Sequence, residues 1–118
     1  MTEEFKNKLI DANVDLEGAM ERFMNNEAMY EKFLKKFANE TIYAQLASAV
    51  EENDTDKAFA AAHTLKGVCG NLSLQGLFEV VSKQVECFRA KQMEEGAAMM
   101  PQVTAEYDKI MALIQDIL

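Results

Sequence analysis

The chain holds one histidine, His63, followed at helical spacing by Lys66 and Gly67. An imidazole with its ordinary pKa of about 6.5 is mostly neutral at neutral pH, so one ring nitrogen keeps a free lone pair for in-line attack on phosphorus. Phosphoryl transfer asks mainly for positioning and charge neutralisation. Lys66, three residues on, would place an ammonium beside the phosphoryl oxygens, and Gly67, four residues on, would clear the approach of a donor. Phe59, one turn earlier, offers an apolar contact to the same partner. A lone histidine rules out a multi-histidine metal site within one subunit. Cys69 and Cys87 lack the short spacing of a zinc or redox pair and read as buried apolar thiols.

The surrounding residues set this group apart from an ordinary solvated helix. Taking Leu65 as the centre of the core face, Ala58, Ala61, Ala62, Val68, Cys69 and Leu72 fall in one apolar arc. His63 lies about 160° from it, among Ala60, Gly67 and Gly70, with Phe59 and Lys66 at the flank. From Lys57 to Phe78 there is no Asp or Glu in a chain that has 20 of them. An exposed helix face ordinarily carries Glu and Lys, and a glycine inside a helix costs roughly 1 kcal/mol relative to alanine. A bare shelf of this kind, with Ala60, Gly70 and Phe59 as docking contacts, admits close approach by another protein.

The elements that position the shelf are helices. One Pro and five Gly in 118 residues, with 49% hydrophobic and 27% charged residues, describe an all-α domain able to bury a core. The pattern predicts a short helix over Glu3–Ile10 and a second, capped by Asp15, that stops near Asn25-Asn26. A long third helix is expected from Glu27 to Glu52, because Tyr30, Phe33, Leu34, Phe37, Ala38, Ile42, Leu46 and Ala49 recur at three- and four-residue steps. Asp54 should cap the helix of His63, which runs to about Leu72. Ser73 should cap the next, which runs to about Lys91 before a break at Glu94-Glu95-Gly96. The last helix runs to Leu118 and begins near Met100 or bends at Pro101. Four long helices with short connections imply an antiparallel up-and-down four-helix bundle, with the short N-terminal helices packed over one end, the whole of residues 1–118 forming one domain.

A net charge of −8 disfavours nucleic acid and anionic membrane surfaces as partners. No apolar run reaches the roughly 18 residues needed to span a bilayer, and the acidic start Met1-Thr2-Glu3-Glu4 is unlike a signal peptide. The expectation is a cytoplasmic, free-standing monomer. No Gly-rich phosphate loop occurs, so the chain should lack kinase activity of its own and act as a phosphocarrier.

The segment His63-Thr64-Leu65-Lys66-Gly67-Val68-Cys69-Gly70-Asn71-Leu72, preceded by Ala61-Ala62, resembles the His-x-x-Lys-Gly signature of histidine-containing phosphotransfer (HPt) domains. Leu16 to Phe23, with Tyr30 and Phe33-Leu34, is similar to the N-terminal region of that family. The resemblance implies a phosphohistidine relay between aspartates of response-regulator receiver domains in two-component signalling, fed by a hybrid sensor histidine kinase. It implies His63 as the phosphorylated residue, Lys66 as the phosphate neighbour and Gly67 as the clearance position, with no cofactor of its own and Mg²⁺ held by the receiver. One position departs from the pattern. Many members carry a Gln about 22 residues after the His, where this chain has Val85, with Gln84 one residue earlier. Gln84 shares a helical stripe with Leu77, Val81 and Phe88, so it either serves His63 from a shifted register or bonds backbone or water. A different class of function stays open beside the relay: a non-catalytic helical adaptor that binds a receiver-type partner through the same face.

Overall fold

The computed structural model describes residues 1–118, all of them helix or short connection. Eight helices follow in order: α1 (Glu3–Asp11), α2 (Leu16–Arg22), α3 (Glu27–Ala38), α4 (Ile42–Glu51), α5 (Thr55–Asn71), α6 (Gln75–Arg89), α7 (Met93–Ala98) and α8 (Met100–Gln115). No helix is long and apolar enough to cross a membrane. The helix starts are capped where Asp, Asn or Thr stands ahead of them. Thr2, Asp15, Asn26 and Asp54 accept from the backbone N–H three residues on, which satisfies donors that have no partner within the helix.

The helix ends use a less obvious device. After α1, α4, α5 and α6 the chain turns through a left-handed residue, Asn13, Asn53, Ser73 and Lys91, with φ between 56° and 65°. The following N–H then reaches back to the last turn, Val14 to Leu9, Asp54 to Ala49, Leu74 to Cys69 and Gln92 to Cys87. This closing pattern normally recruits glycine. Here asparagine, which tolerates the conformation, supplies two of the four positions.

The expected long third helix is two helices. Nothing in the apolar spacing marks the break, but Asn39, Glu40 and Thr41 end one helix and start the next. The Asn39 side chain donates to the Lys35 carbonyl at 3.4 Å, and the Thr41 hydroxyl accepts from Gln45 at 2.9 Å. Such residues offer the backbone alternatives to helical bonding. Two further expectations are corrected. Ser73 does not cap α6: it sits in the left-handed turn, and its hydroxyl accepts from Arg22 Nη1 at 2.8 Å. Glu94-Glu95-Gly96 is not a break: α7 runs through it, with both acids in the favourable first turn. Gly96 is there because the Phe88 ring occupies the place its side chain would take. The break falls at Lys91, α8 begins at Met100 with Pro101 in its first turn, and it ends at Gln115 short of Leu118.

The core is one contiguous set of 24 buried apolar residues contributed by every helix except α7. α5 lies between α4 and α6 and runs opposite to both. Lys57 faces Glu52 at one end of the α4 contact and Thr64 faces Ala44 toward the other. On the other side, Phe59 meets Arg89 while Gly70 meets Phe78. α8 closes against α6 and α3, and Tyr43 and Tyr107 stack at 4.0 Å with the Tyr43 hydroxyl 2.6 Å from that of Thr104.

The N-terminal helices cover the α5–α6 turn. Asp15 N–H donates to the Ser73 carbonyl and Gly76 N–H to the Asn13 carbonyl. Arg22 reaches across to the Gly70 carbonyl at 2.8 Å. Tyr30, fully buried, donates its hydroxyl to the Leu72 carbonyl at 2.7 Å. The C-terminal end of α5 is thus pinned from three directions, which fixes the rotation of the helix that carries His63.

Candidate functional site

α5 owes its orientation to its small and apolar face. Ala58, Ala61, Ala62, Leu65 and Cys69 are buried, and helix geometry then leaves His63, Ala60 and Gly67 exposed on the far side. Burial pushes the Cys69 thiol up to about 12, so this sulfur behaves as a small apolar group. Cys87, expected buried too, is only half-buried.

His63 is stacked on Phe59, ring centroids 5.7 Å apart at 29°. Phe59 is half-buried and packs against the core, and it supports the imidazole from below. Lys66 is half-exposed and takes part in no ion pair, which leaves its ammonium uncommitted. A side chain added at Gly67 would meet nothing within 4 Å. The fold therefore does not require glycine there; the space over it is open. Thr64 is tied down, its hydroxyl donating to the Ala60 carbonyl at 3.0 Å. Beside Ala60 a shallow groove of about 520 Å³ runs between α4 and α5, lined by Ala44, Ser48, Ala60 and Thr64 among others.

Two expected members stand apart from this group. Gly70 is half-buried, and a side chain there would press on the Phe78 ring at 3.3 Å, so this glycine serves the α5–α6 contact and lies at the edge of the shelf. Gln84 is fully buried. Its amide donates to the Gly96 carbonyl at 3.0 Å and lies 3.1 Å from Met100 Sδ, which ties α6 to α7 and α8; it makes no hydrogen bond to His63. Of the alternatives open for Gln84, the backbone bond is the one present.

Arg89 is the neighbour that the sequence did not bring forward. Its guanidinium lies 5.0 Å over the Phe59 ring and donates to Glu86 at 3.2 Å. Next to it Lys91 pairs with Asp56 at 2.9 Å, and this contact lowers the Asp56 pKa. The signal that could have found Arg89 is the register of α5 against α6: pairing Gly70 with Phe78 in an antiparallel hairpin brings residue 89 to the level of Phe59.

Searches of curated proteins and of solved structures return no significant match. A family model described as "Hpt domain" does match, over residues 29–113. The matched span takes in α5 with His63, Lys66 and Gly67, and begins after the Leu16–Phe23 segment that resembles the family's N-terminal region. It covers well over half of the 118 residues, and the chain belongs to the Hpt domain family, a family of phosphotransfer domains of two-component systems.

Proposed function

We propose that this protein relays a phosphoryl group between His63 and the phosphorylated aspartate of response-regulator receiver domains, with a hybrid sensor kinase upstream. The observation that carries the reading is the position of the only histidine: exposed, braced by Phe59, beside an uncommitted Lys66 and an open Gly67. In the accepting direction the ring nitrogen's lone pair forms the N–P bond as the aspartyl O–P bond breaks. The electron pair leaves with the aspartate carboxylate, and the other ring nitrogen gives its proton to solvent. Lys66 neutralises part of the phosphoryl charge, and the receiver brings the Mg²⁺ that neutralises the rest.

The same reading treats residues 1–118 as one cytoplasmic, monomeric domain in which the α3–α4 segment, α5, α6 and α8 form an antiparallel up-and-down bundle. Ala60 and Gly67 form the docking floor, with Phe59 and Gly70 at its margins. Net charge −8 argues against nucleic acid and anionic membranes as partners.

The test mixes the protein with a receiver charged by acetyl phosphate in Mg²⁺ and measures acid-labile phosphate on wild type and His63→Gln. Label on wild type alone is the expected result. Label retained by His63→Gln sinks the assignment. A folded, receiver-binding wild type that takes no label from any of several receivers would favour the adaptor reading.

A further inference from the structure

Glu86 and Arg89 stand at the border of the site on α6, and the relay as described uses neither. Arg89 Nε donates to Glu86 Oε2 at 3.2 Å, with the two side chains 53% and 63% exposed. Water screens such a pair heavily, so the hold is weak and readily given up. The same guanidinium lies 5.0 Å over Phe59, the ring on which His63 stacks at 5.7 Å. Laid end to end, those two distances bound the separation of imidazole and guanidinium at about 11 Å.

We propose that Glu86 and Arg89 form a charge latch on the site: Arg89 is a second cation for phosphorylated His63, Glu86 competes for it, and the pair sets how long the phosphohistidine survives in water. The proposal rests on the relay reading. An N-phosphoryl group carries up to two negative charges, and a guanidinium, with its planar fork of donors, suits phosphate better than a single screened carboxylate. Phe59 is the side chain the two share, the guanidinium 5.0 Å and the imidazole 5.7 Å from its ring, so rotation of the long arginine side chain brings the cation to the phosphoryl group.

The sign of the effect follows from the chemistry of loss. A water oxygen forms the new P–O bond while the P–N bond breaks; the electron pair returns to the ring nitrogen, and the water's proton passes to the imidazole or to solvent. In the loose transition state of such transfers the phosphoryl oxygens carry less negative charge than in the phosphohistidine. A cation resting on those oxygens therefore stabilises the starting state more than the transition state, and slows hydrolysis. Glu86, by occupying Arg89 and by repelling the phosphoryl group, speeds it.

The experiment phosphorylates the full chain with phosphoramidate, without any receiver, and follows loss of phosphohistidine by phosphorus NMR at pH 7. Against wild type, Glu86→Gln should lengthen the half-life and Arg89→Gln shorten it, each by about three-fold, the scale of an exposed charge interaction. Arg89→Lys should recover part of the loss, which a purely structural role would not allow. In the Arg89→Gln background, Glu86→Gln should do less than it does alone, because its competitor's target is gone. Equal half-lives in all variants, or a Glu86→Gln effect of the same size in both backgrounds, would overturn the latch. A wild type that fails to take phosphate from a charged receiver counts against the relay and leaves these half-lives to be read on their own.

Discussion

His63 rests on Phe59, four residues earlier on α5, with ring centroids 5.7 Å apart and planes inclined by 29°. The spacing is that of neighbours on one helix face, and the half-buried Phe59 cannot swing away without leaving the core edge. Such an aromatic pair is worth about 0.5–1.5 kcal/mol beyond area burial. Phe59→Leu keeps an apolar side chain and removes the stack, so receiver-to-His63 transfer should slow by roughly three- to ten-fold with helicity retained. Stopped-flow transfer kinetics beside circular dichroism check this; an unchanged rate would show that the ring does not orient the imidazole.

Gly67 separates stability from function. The open space above it means that Gly67→Ala meets no clash, and alanine in mid-helix should raise stability by about 0.5–1 kcal/mol. If the space belongs to a docked receiver, the same methyl group slows transfer, and Gly67→Glu, adding bulk and negative charge against an acidic phosphorylation pocket, abolishes it. Thermal melts and transfer rates should therefore move in opposite directions for Gly67→Ala. A stabilised variant that transfers at the wild-type rate would remove Gly67 from the docking face.

Glu27, paired with the N-terminal segment, contributes to the acid sensitivity of the fold. Glu27 accepts from Lys6 at 2.8 Å and from the Met1 ammonium at 3.0 Å, and these contacts, the Lys6 hydrogen bond first, lower its pKa from 4.5. A carboxyl group with a folded-state pKa below its unfolded one contributes stability that is complete above the unfolded value and lost as pH falls through the folded one. Glu27→Gln should thus melt below wild type at pH 7, and the two curves should converge in acid once Glu27 is protonated. Asp56, lowered by Lys91, adds to the same limb. The Lys6 pKa, raised by the same hydrogen bond, puts its share below 10.5 and loses it as pH rises through the raised value. Parallel melting curves for wild type and Glu27→Gln from pH 7 to pH 2 would contradict the assignment.

The parts of this protein legible in its sequence are those decided within one helix. The apolar arc of Ala58, Ala61, Ala62, Leu65 and Cys69 determines which side of α5 is buried, so the exposure of His63 and Gly67 follows from spacing alone. Asp15 and Asp54 cap their helices because their chemistry is local. What could not be read depends on contacts between elements. The apolar stripe passes unbroken through Phe37, Ala38 and Ile42, so the Asn39–Thr41 turn is invisible to periodicity. Gly96 looks like a helix breaker until the Phe88 ring is seen above it. Ser73 has the composition of a cap, yet Arg22 draws its hydroxyl away into a left-handed turn. Arg89 needs the α5–α6 register before it joins Phe59 at all.

Gln84 provides the sharpest contrast between a site residue and a structural one. Its amide N–H₂ is spent on the Gly96 carbonyl at 3.0 Å and on Met100 Sδ at 3.1 Å, and its Oε1 is buried without a partner. Gln84→Leu would remove that unpaired oxygen together with one of the two hydrogen bonds the Gly96 carbonyl accepts, the Met99 N–H at 3.2 Å remaining, a loss of about 0.5–1.5 kcal/mol partly offset by the oxygen removed. The net expectation is a lower denaturation midpoint with an unchanged slope. Because neither bond reaches His63, transfer per folded molecule should match wild type at temperatures well below the melt. A transfer defect in a Gln84→Leu protein of wild-type stability would return Gln84 to the site and require α6 to shift its register when the receiver docks.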